Sequence, residues 1–265
     1  MSLNSSNPST EVVAVQVPPK YSLKRRILMC IALPAWAFLG FMLAQALIIA
    51  LIEVLQKVGV PLDKISDSLF QLIAGAVIYA LTLLIVIGLP WLVKKTRTTK
   101  EELGIQRLPN LMDYVWVPAG AVAYLILTAT ITAIAMSFLT FIDYDQAQDT
   151  GFTNMSARAE YILAFIMLVI IAPIAEELLF RGYLFGKLQK YAPLWISIFI
   201  TSVLFALVHF AWNVGLDVFA LSIVLCLLRV VSKSLWPCIM LHMLKNGVAF
   251  YFLFIDPSVL STLGG

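Results

Sequence analysis

The stretch Ile27–Ile52, ILMCIALPAWAFLGFMLAQALIIALI, decides the fold, because it holds 26 consecutive residues without one charged side chain. A helix that crosses the hydrocarbon core of a membrane needs about 20 apolar residues. Two further stretches, 69–93 and 114–142, meet the same condition, and 191–216 carries only a histidine, His209. The sequence therefore predicts an integral membrane protein.

Composition and the remaining segments extend this prediction to the whole chain. Hydrophobic residues make up 61% of the chain and charged residues 12%, whereas about a quarter of a soluble domain is charged. Three more hydrophobic segments, 161–186, 218–228 and 234–255, are interrupted or bounded by polar residues. Such runs are far longer than the alternating strands of a membrane barrel. We predict an all-α polytopic bundle of about seven transmembrane helices, within a range of six to eight.

The distribution of lysine and arginine predicts the orientation of this bundle. Residues 1–22 are rich in Ser, Pro and Val and are expected to form a disordered tail, followed by one transmembrane helical domain over 23–265. Basic clusters flank alternate ends of the spans, which places the N-terminus in the cytoplasm, within what we expect to be a bacterial cell membrane. The lipid bilayer is thus the first predicted partner, and nothing in the charge pattern indicates nucleic-acid binding.

Ionisable residues inside the spans are the candidates for function, because their burial in a membrane is costly. The spacing of Glu177 and Arg181, at i and i+4, puts both on one helix face, where they can pair. Glu176 points about 100° away from that pair and is available for other chemistry. His242 and Asn246 form a second i, i+4 pair. The three cysteines carry no spacing pattern and are given no chemistry.

Hydrolysis of an amide bond requires a base that activates water and donors that hold the oxyanion. Glu176, assisted by His209, is the candidate base. His242 and Asn246 are candidate oxyanion donors. Phe205, one turn before His209, is expected to wall the site. This chemistry requires neither a nucleophilic serine nor a cofactor, and we expect none.

Three motifs resemble those of the CPBP family of intramembrane glutamic endopeptidases, also called the Abi or CAAX-protease family. The matching residues are EExxxR at Glu176, Glu177 and Arg181, FxxxH at Phe205 and His209, and HxxxN at His242 and Asn246. The resemblance covers about residues 157–250. It implies that Glu176 is the base, that His209 helps bind the water, and that His242 and Asn246 face the oxyanion. It also implies a membrane-associated peptide or prenylated CAAX-like protein as the substrate.

One residue, Lys245, departs from the family pattern, and the depths of Glu176 and His209 do not agree with a model of straight helices. Lys245, next to the last asparagine of the motifs, is foreign to the pattern and alters the charge of the predicted site. Straight spans would also place Glu176 on the cytoplasmic side of the membrane midplane and His209 on the outer side. Either a break at Pro173 or a dip of the stretch 187–195 into the membrane would bring them together.

Other functions compete with the protease prediction. A metalloprotease would use His209, His242 and Glu176 as zinc ligands, although no HExxH motif is present. A proton-coupled transporter would use buried Glu and His as a relay, but the sequence shows no inverted repeat. The main alternative is a non-catalytic membrane scaffold or immunity-type protein of the same fold, which would keep the helices and need not keep the charges. Taken alone, Glu177 and Arg181 also fit a structural ion pair.

Overall fold

The computed structural model describes residues 21–94, 97–142, 144, 150–152, 155–256 and 258. Residues 1–20, which hold most of the predicted N-terminal tail, lie outside the described residues. Ser22 belongs to the first helix rather than to the tail, because its hydroxyl caps that helix by accepting a hydrogen bond from the Arg25 amide.

The described residues form a bundle of α-helices without a β-strand. In chain order the helices are α1 (Leu23–Lys57), α2 (Asp67–Val93), α3 (Lys100–Leu103), α4 (Leu111–Phe138), α5 (Arg158–Leu188), α6 (Leu194–Leu207), α7 (Trp212–Ser232) and α8 (Trp236–Ile255). Among the described residues, six of these are long and apolar enough to cross a membrane, and α6 is a shorter apolar helix. The predicted all-α polytopic bundle is confirmed.

The boundaries of the fifth and sixth predicted spans are wrong. The predicted span 191–216 is divided, because α6 ends at Leu207 after only 14 residues. The predicted short span 218–228 is part of α7, which is 21 residues long. The backbone turns between these helices at Phe210, whose φ of 54° is unusual for a residue with a bulky side chain. Since residues 208–211 are mostly apolar, hydropathy does not show the turn.

The short α6 removes the conflict in depth between Glu176 and His209. Twelve residues separate Glu176 from the end of α5 at Leu188, which is about 18 Å of helix. From its start at Leu194, α6 rises about 20 Å before the turn that holds His209. Both side chains are therefore about equally far from the connection between α5 and α6.

Pro173 does not break the fourth span. The helix α5 stays continuous and passes Pro173 by widening into π-helical turns at Ile166–Ile171. Proline has no N–H, so a carbonyl about one turn earlier loses its helical donor. The Leu168 carbonyl, five residues before Pro173, instead accepts a hydrogen bond of 2.9 Å from the Asn246 side chain on α8.

A group of polar contacts lies at the end of the bundle where α5 and α7 finish. There the Glu102 carboxylate on α3 accepts hydrogen bonds from Lys187, at 2.6 Å, and from Lys190. Arg229, in the last turn of α7, donates to the carbonyl oxygens of Glu101 and Glu102, both at 3.2 Å. We call this the basic end of the bundle; it fixes α3 across the helix ends.

Candidate active site

A cavity of roughly 240 Å³ lies between α2, α5, α8 and the turn after α6. Its apolar lining includes Phe41, Leu168, Phe180, Val218, Phe250 and Phe254, and its polar lining residues are Tyr79, Thr150, Glu176, His209, His242, Lys245 and Asn246. This central cavity thus brings together the base, both histidines and the asparagine that the motifs predict. A volume of this size holds several water molecules, each of which occupies about 30 Å³ in the liquid.

Glu176 projects into the central cavity and is held by a hydroxyl group from another helix. The Tyr79 hydroxyl on α2 donates a short hydrogen bond to Glu176 Oε1. The second carboxylate oxygen, Oε2, lies 3.8 Å from His242 Nε2, and 15% of the side chain is exposed. One oxygen is therefore fixed by Tyr79 while the other faces His242.

Glu177 turns away from the cavity, as its spacing from Arg181 predicts. Its Oε1 accepts hydrogen bonds of 2.8 Å from both Arg181 Nη1 and His242 Nδ1. The side chains of Glu177 and Arg181 are completely buried. The carboxylate thus joins the arginine of α5 to the histidine of α8, and this pairing sets the orientation of the His242 ring.

His209 lies in the turn after α6, and its Nδ1 is committed to the protein. Nδ1 donates a hydrogen bond of 2.7 Å to the Phe205 carbonyl, so Nδ1 carries the hydrogen. In the neutral ring Nε2 then has a lone pair that can accept a hydrogen bond from water. This arrangement suits a residue that orients water.

Phe205 supports the site from behind rather than lining the central cavity. Its ring is fully buried and lies 5.0 Å from the His209 ring and 5.8 Å from the His242 ring, both edge to face. The Arg181 guanidinium lies 4.3 Å from the centre of the same ring. Phe205 therefore packs against both imidazole rings and against the guanidinium of Arg181.

A second polar cluster borders the cavity, and sequence reasoning missed most of it. Lys245 forms an ion pair of 3.1 Å with Asp217 on α7. The other oxygen of Asp217 accepts hydrogen bonds from Tyr124, at 2.5 Å, and Thr128, at 2.9 Å, both on α4. Tyr124 and Tyr79 went unnoticed because a single tyrosine in an apolar span carries no motif. Asp217 directly precedes the predicted span 218–228, and its charge was interpreted as the boundary of that span.

No group of three His, Cys, Asp or Glu side chains in the described part of the chain is arranged to hold a metal ion. The zinc alternative would use His209, His242 and Glu176 as ligands. Of these, His242 is bound through Nδ1 to Glu177, and its Nε2 lies 3.8 Å from Glu176 Oε2.

Comparison with known proteins identifies the family. Residues 158–248 match the family model of type II CAAX prenyl endopeptidases, described as Rce1-like. The chain is 28% identical over 221 residues to the membrane-embedded CAAX protease MroQ of Staphylococcus aureus, which covers 81% of this chain and 85% of that protein. It is 30% identical over 134 residues to the UPF0177 protein YxdF of Lactococcus lactis, covering 50% of this chain and 70% of that protein. The chain belongs to the CPBP family.

As a CPBP protein, the chain is a polytopic member of a family of CAAX-type intramembrane proteases. The matched region begins at the start of α5 and ends within α8, so it contains all three motifs. No solved structure matches the chain.

Proposed function

We propose that this protein is an intramembrane endopeptidase in which Glu176 and His209 activate a water molecule to cut a peptide bond. The observation that carries the proposal is that both side chains line one cavity within the bundle, although they come from different segments. General acid–base chemistry requires both groups within reach of the same water. Neither a serine nor a metal takes part in the proposed reaction.

The proposed reaction has two steps that conserve atoms and charge. Glu176 removes a proton from the water as its oxygen attacks the carbonyl carbon, and His209 Nε2 accepts a hydrogen bond from the other hydrogen. The carbonyl oxygen becomes an oxyanion. The protonated Glu176 then gives its proton to the amide nitrogen, and the C–N bond breaks as the oxyanion collapses. Tyr79 keeps the Glu176 carboxylate facing the cavity throughout.

The substrate class follows from the membrane setting and from the relatives. The proposed site lies among helices that are long and apolar enough to cross a membrane, which favours a membrane-associated substrate. The relatives are named CAAX protease and CAAX prenyl endopeptidase. We propose a membrane-associated peptide or a prenylated CAAX-like protein as the substrate, and a cytoplasmic N-terminus in a bacterial cell membrane for the enzyme.

A single substitution tests the proposal. Purified Glu176→Gln protein, assayed with an internally quenched farnesylated CAAX peptide, should lose about 10²- to 10⁴-fold in kcat, because the amide cannot accept the proton. Glu53→Gln is the matched control, because Glu53 is an exposed glutamate near the end of α1. Melting temperatures of both variants should match the wild type. Peptidomics of membranes from cells that carry the wild-type or the Glu176→Gln protein applies the same comparison to natural peptide substrates.

Two outcomes would contradict this function. Full specific activity of Glu176→Gln would remove the proposed base and favour the non-catalytic scaffold. Loss of wild-type activity after prolonged chelation, with recovery on adding zinc, would favour a metal site at Glu176, His209 and His242. The proposal expects chelation to leave the rate unchanged.

A further inference from the structure

Lys245 is a charged group of the central cavity that the family motifs do not use. It follows His242 by three residues on α8, so both lie on the side of the helix that lines the cavity. Its side chain is only 16% exposed. A lysine in a transmembrane helix is costly and usually serves a function.

The position of Lys245 is determined by an aspartate that is itself fixed from a third helix. Asp217 uses Oδ2 for Lys245 and Oδ1 for the hydroxyls of Tyr124 and Thr128. Three hydrogen bonds thus bind this carboxylate, and it in turn orients the ammonium group. Of the three N–H donors of Lys245, Asp217 takes one, so two can donate toward the cavity.

Asn246 and His242, two other donors of the cavity, each make a hydrogen bond within the protein, which leaves the Asn246 amide one further N–H. The Asn246 amide donates to the Leu168 carbonyl at 2.9 Å. His242 donates through Nδ1 to Glu177, so its Nε2 can donate only when the ring is the imidazolium. An ammonium held in place supplies a full positive charge and needs no further protonation step.

We propose that Lys245 donates a hydrogen bond to the oxygen of the scissile carbonyl as that oxygen becomes an oxyanion. The inference rests on the proposed protease function. When Glu176 takes the proton from water, negative charge moves from its carboxylate to the carbonyl oxygen. Lys245 stabilises the charge in its new place, and Asp217, Tyr124 and Thr128 are positioning residues that hold the ammonium there. The negative charge returns to the Glu176 carboxylate when its proton passes to the amide nitrogen and the C–N bond breaks.

The test compares Lys245→Met, which has a similar length but no charge, with Lys245→Arg and with the control Lys64→Met at an exposed position. Each is assayed with the quenched farnesylated CAAX peptide in two forms, one ending in a carboxylate and one in a carboxamide. We expect Lys245→Met to lower kcat about 10²- to 10³-fold on both peptides with KM nearly unchanged. Lys245→Arg should recover part of that loss, and Lys64→Met should behave as the wild type.

Other outcomes overturn the inference. An unchanged kcat would show that Lys245 is structural. An increase in KM confined to the carboxylate peptide would show that Lys245 binds the substrate terminus instead. Activity of Glu176→Gln in the same series decides the proposed function separately: if that variant is inactive and Lys245→Met is fully active, the protease function stands and the role of Lys245 fails.

Two additional variants guard against misfolding and test the positioning residues. Lys245→Met combined with Asp217→Asn removes both charges, so no unpaired ion remains, and it should show the same loss of kcat as Lys245→Met alone. Tyr124→Phe should lower kcat by up to about tenfold in the wild type, because Asp217 loses one hydrogen bond. In the Lys245→Met background the same change should have no further effect on kcat, whereas a purely structural role would give equal effects in both.

Discussion

At the scale of residues, the neighbouring carboxylates Glu176 and Glu177 have different partners. Glu177 accepts hydrogen bonds from Arg181 and His242, and Glu176 accepts one from the Tyr79 hydroxyl. The spacing of the sequence indicated the Glu177–Arg181 pair, since i, i+4 geometry follows from the helix alone. It did not indicate Tyr79 or the contact to His242, because both depend on which helices become neighbours.

The buried ion pair of Glu177 and Arg181 predicts that Glu177→Gln lowers stability. Arg181 is fully buried, and it would lose its partner carboxylate without gaining contact with water. Leaving a buried charge unpaired costs about 3–5 kcal/mol. Unfolding in mixed micelles should therefore show a large drop in the free energy of unfolding, with Glu53→Gln as the control. Wild-type stability of Glu177→Gln would contradict the structural importance of the pair.

At the scale of helices, two prolines are accommodated by the same device. Pro90 in α2 and Pro173 in α5 each follow a π-helical segment, Leu84–Gly88 and Ile166–Ile171. In each case a carbonyl one turn earlier accepts a hydrogen bond from another helix: Val86 from Trp36, at 3.0 Å, and Leu168 from Asn246, at 2.9 Å. The prolines are visible in the sequence, but the partner that supplies the missing donor is not.

This device predicts a coupling between Asn246 and Pro173. Asn246→Leu removes the side-chain donor and leaves the Leu168 carbonyl unsatisfied, which should cost about 1–3 kcal/mol. Pro173→Ala restores a backbone N–H to α5, so the same asparagine change should cost less in the Pro173→Ala background. Unfolding free energies of the four proteins in this double-mutant cycle give the coupling. Strictly additive effects would mean that the Leu168 carbonyl does not depend on Asn246.

The short helix α3 predicts a dependence on pH at the basic end of the bundle. Burial raises the pKa of Glu102, but the hydrogen bonds and charges of Lys187 and Lys190 outweigh it, so the pKa lies below its usual range. A lowered pKa in the folded state gives stability that is present above the unfolded pKa, about 4.3, and is lost as the pH falls through the folded pKa. The melting temperature of Glu102→Gln should thus lie below that of the wild type at neutral pH, and the two should converge in acid. A constant difference at every pH would contradict this.

At the scale of the whole molecule, the number and type of spans could be predicted from composition and run length. The point at which α6 ends and α7 begins could not. Hydropathy identified α1, α2, α4, α5 and α8 because each is flanked by polar residues. It merged α6 with the start of α7, since the turn at 208–211 contains no glycine, proline or charge to mark it. The shared depth of Glu176 and His209, on which the candidate site depends, follows from that one turn.

The charge distribution predicts which side of the membrane each connection faces. Single cysteines at Lys100 and Thr140, both exposed and separated by α4, should react with a membrane-impermeant maleimide from opposite sides. In intact cells only the Thr140 position should be labelled, and Lys100 should be labelled after lysis. The unmodified protein serves as the control, because Cys226 and Cys238 are buried and Cys30 is only partly accessible. Labelling of both positions in intact cells would contradict the predicted orientation.

The shortness of α6 has a consequence for the surrounding lipid. Its 14 residues cover about 21 Å, against a hydrocarbon thickness of about 30 Å. Phe210 and Trp212, at the turn that carries His209, are 70% and 66% exposed. Such hydrophobic mismatch is relieved by local thinning of the bilayer, which brings head groups and water down toward the turn.

The catalytic rate should therefore depend on lipid chain length, if the proposed chemistry holds. In vesicles of monounsaturated phosphatidylcholine, turnover of the quenched peptide should fall as the acyl chains lengthen from about 14 to about 22 carbons, because thinning becomes more costly. The melting temperature and the rate in detergent micelles provide the controls, and a rate independent of chain length would contradict the expectation. Through α6, the thickness of the membrane would regulate the supply of water to the proposed active site.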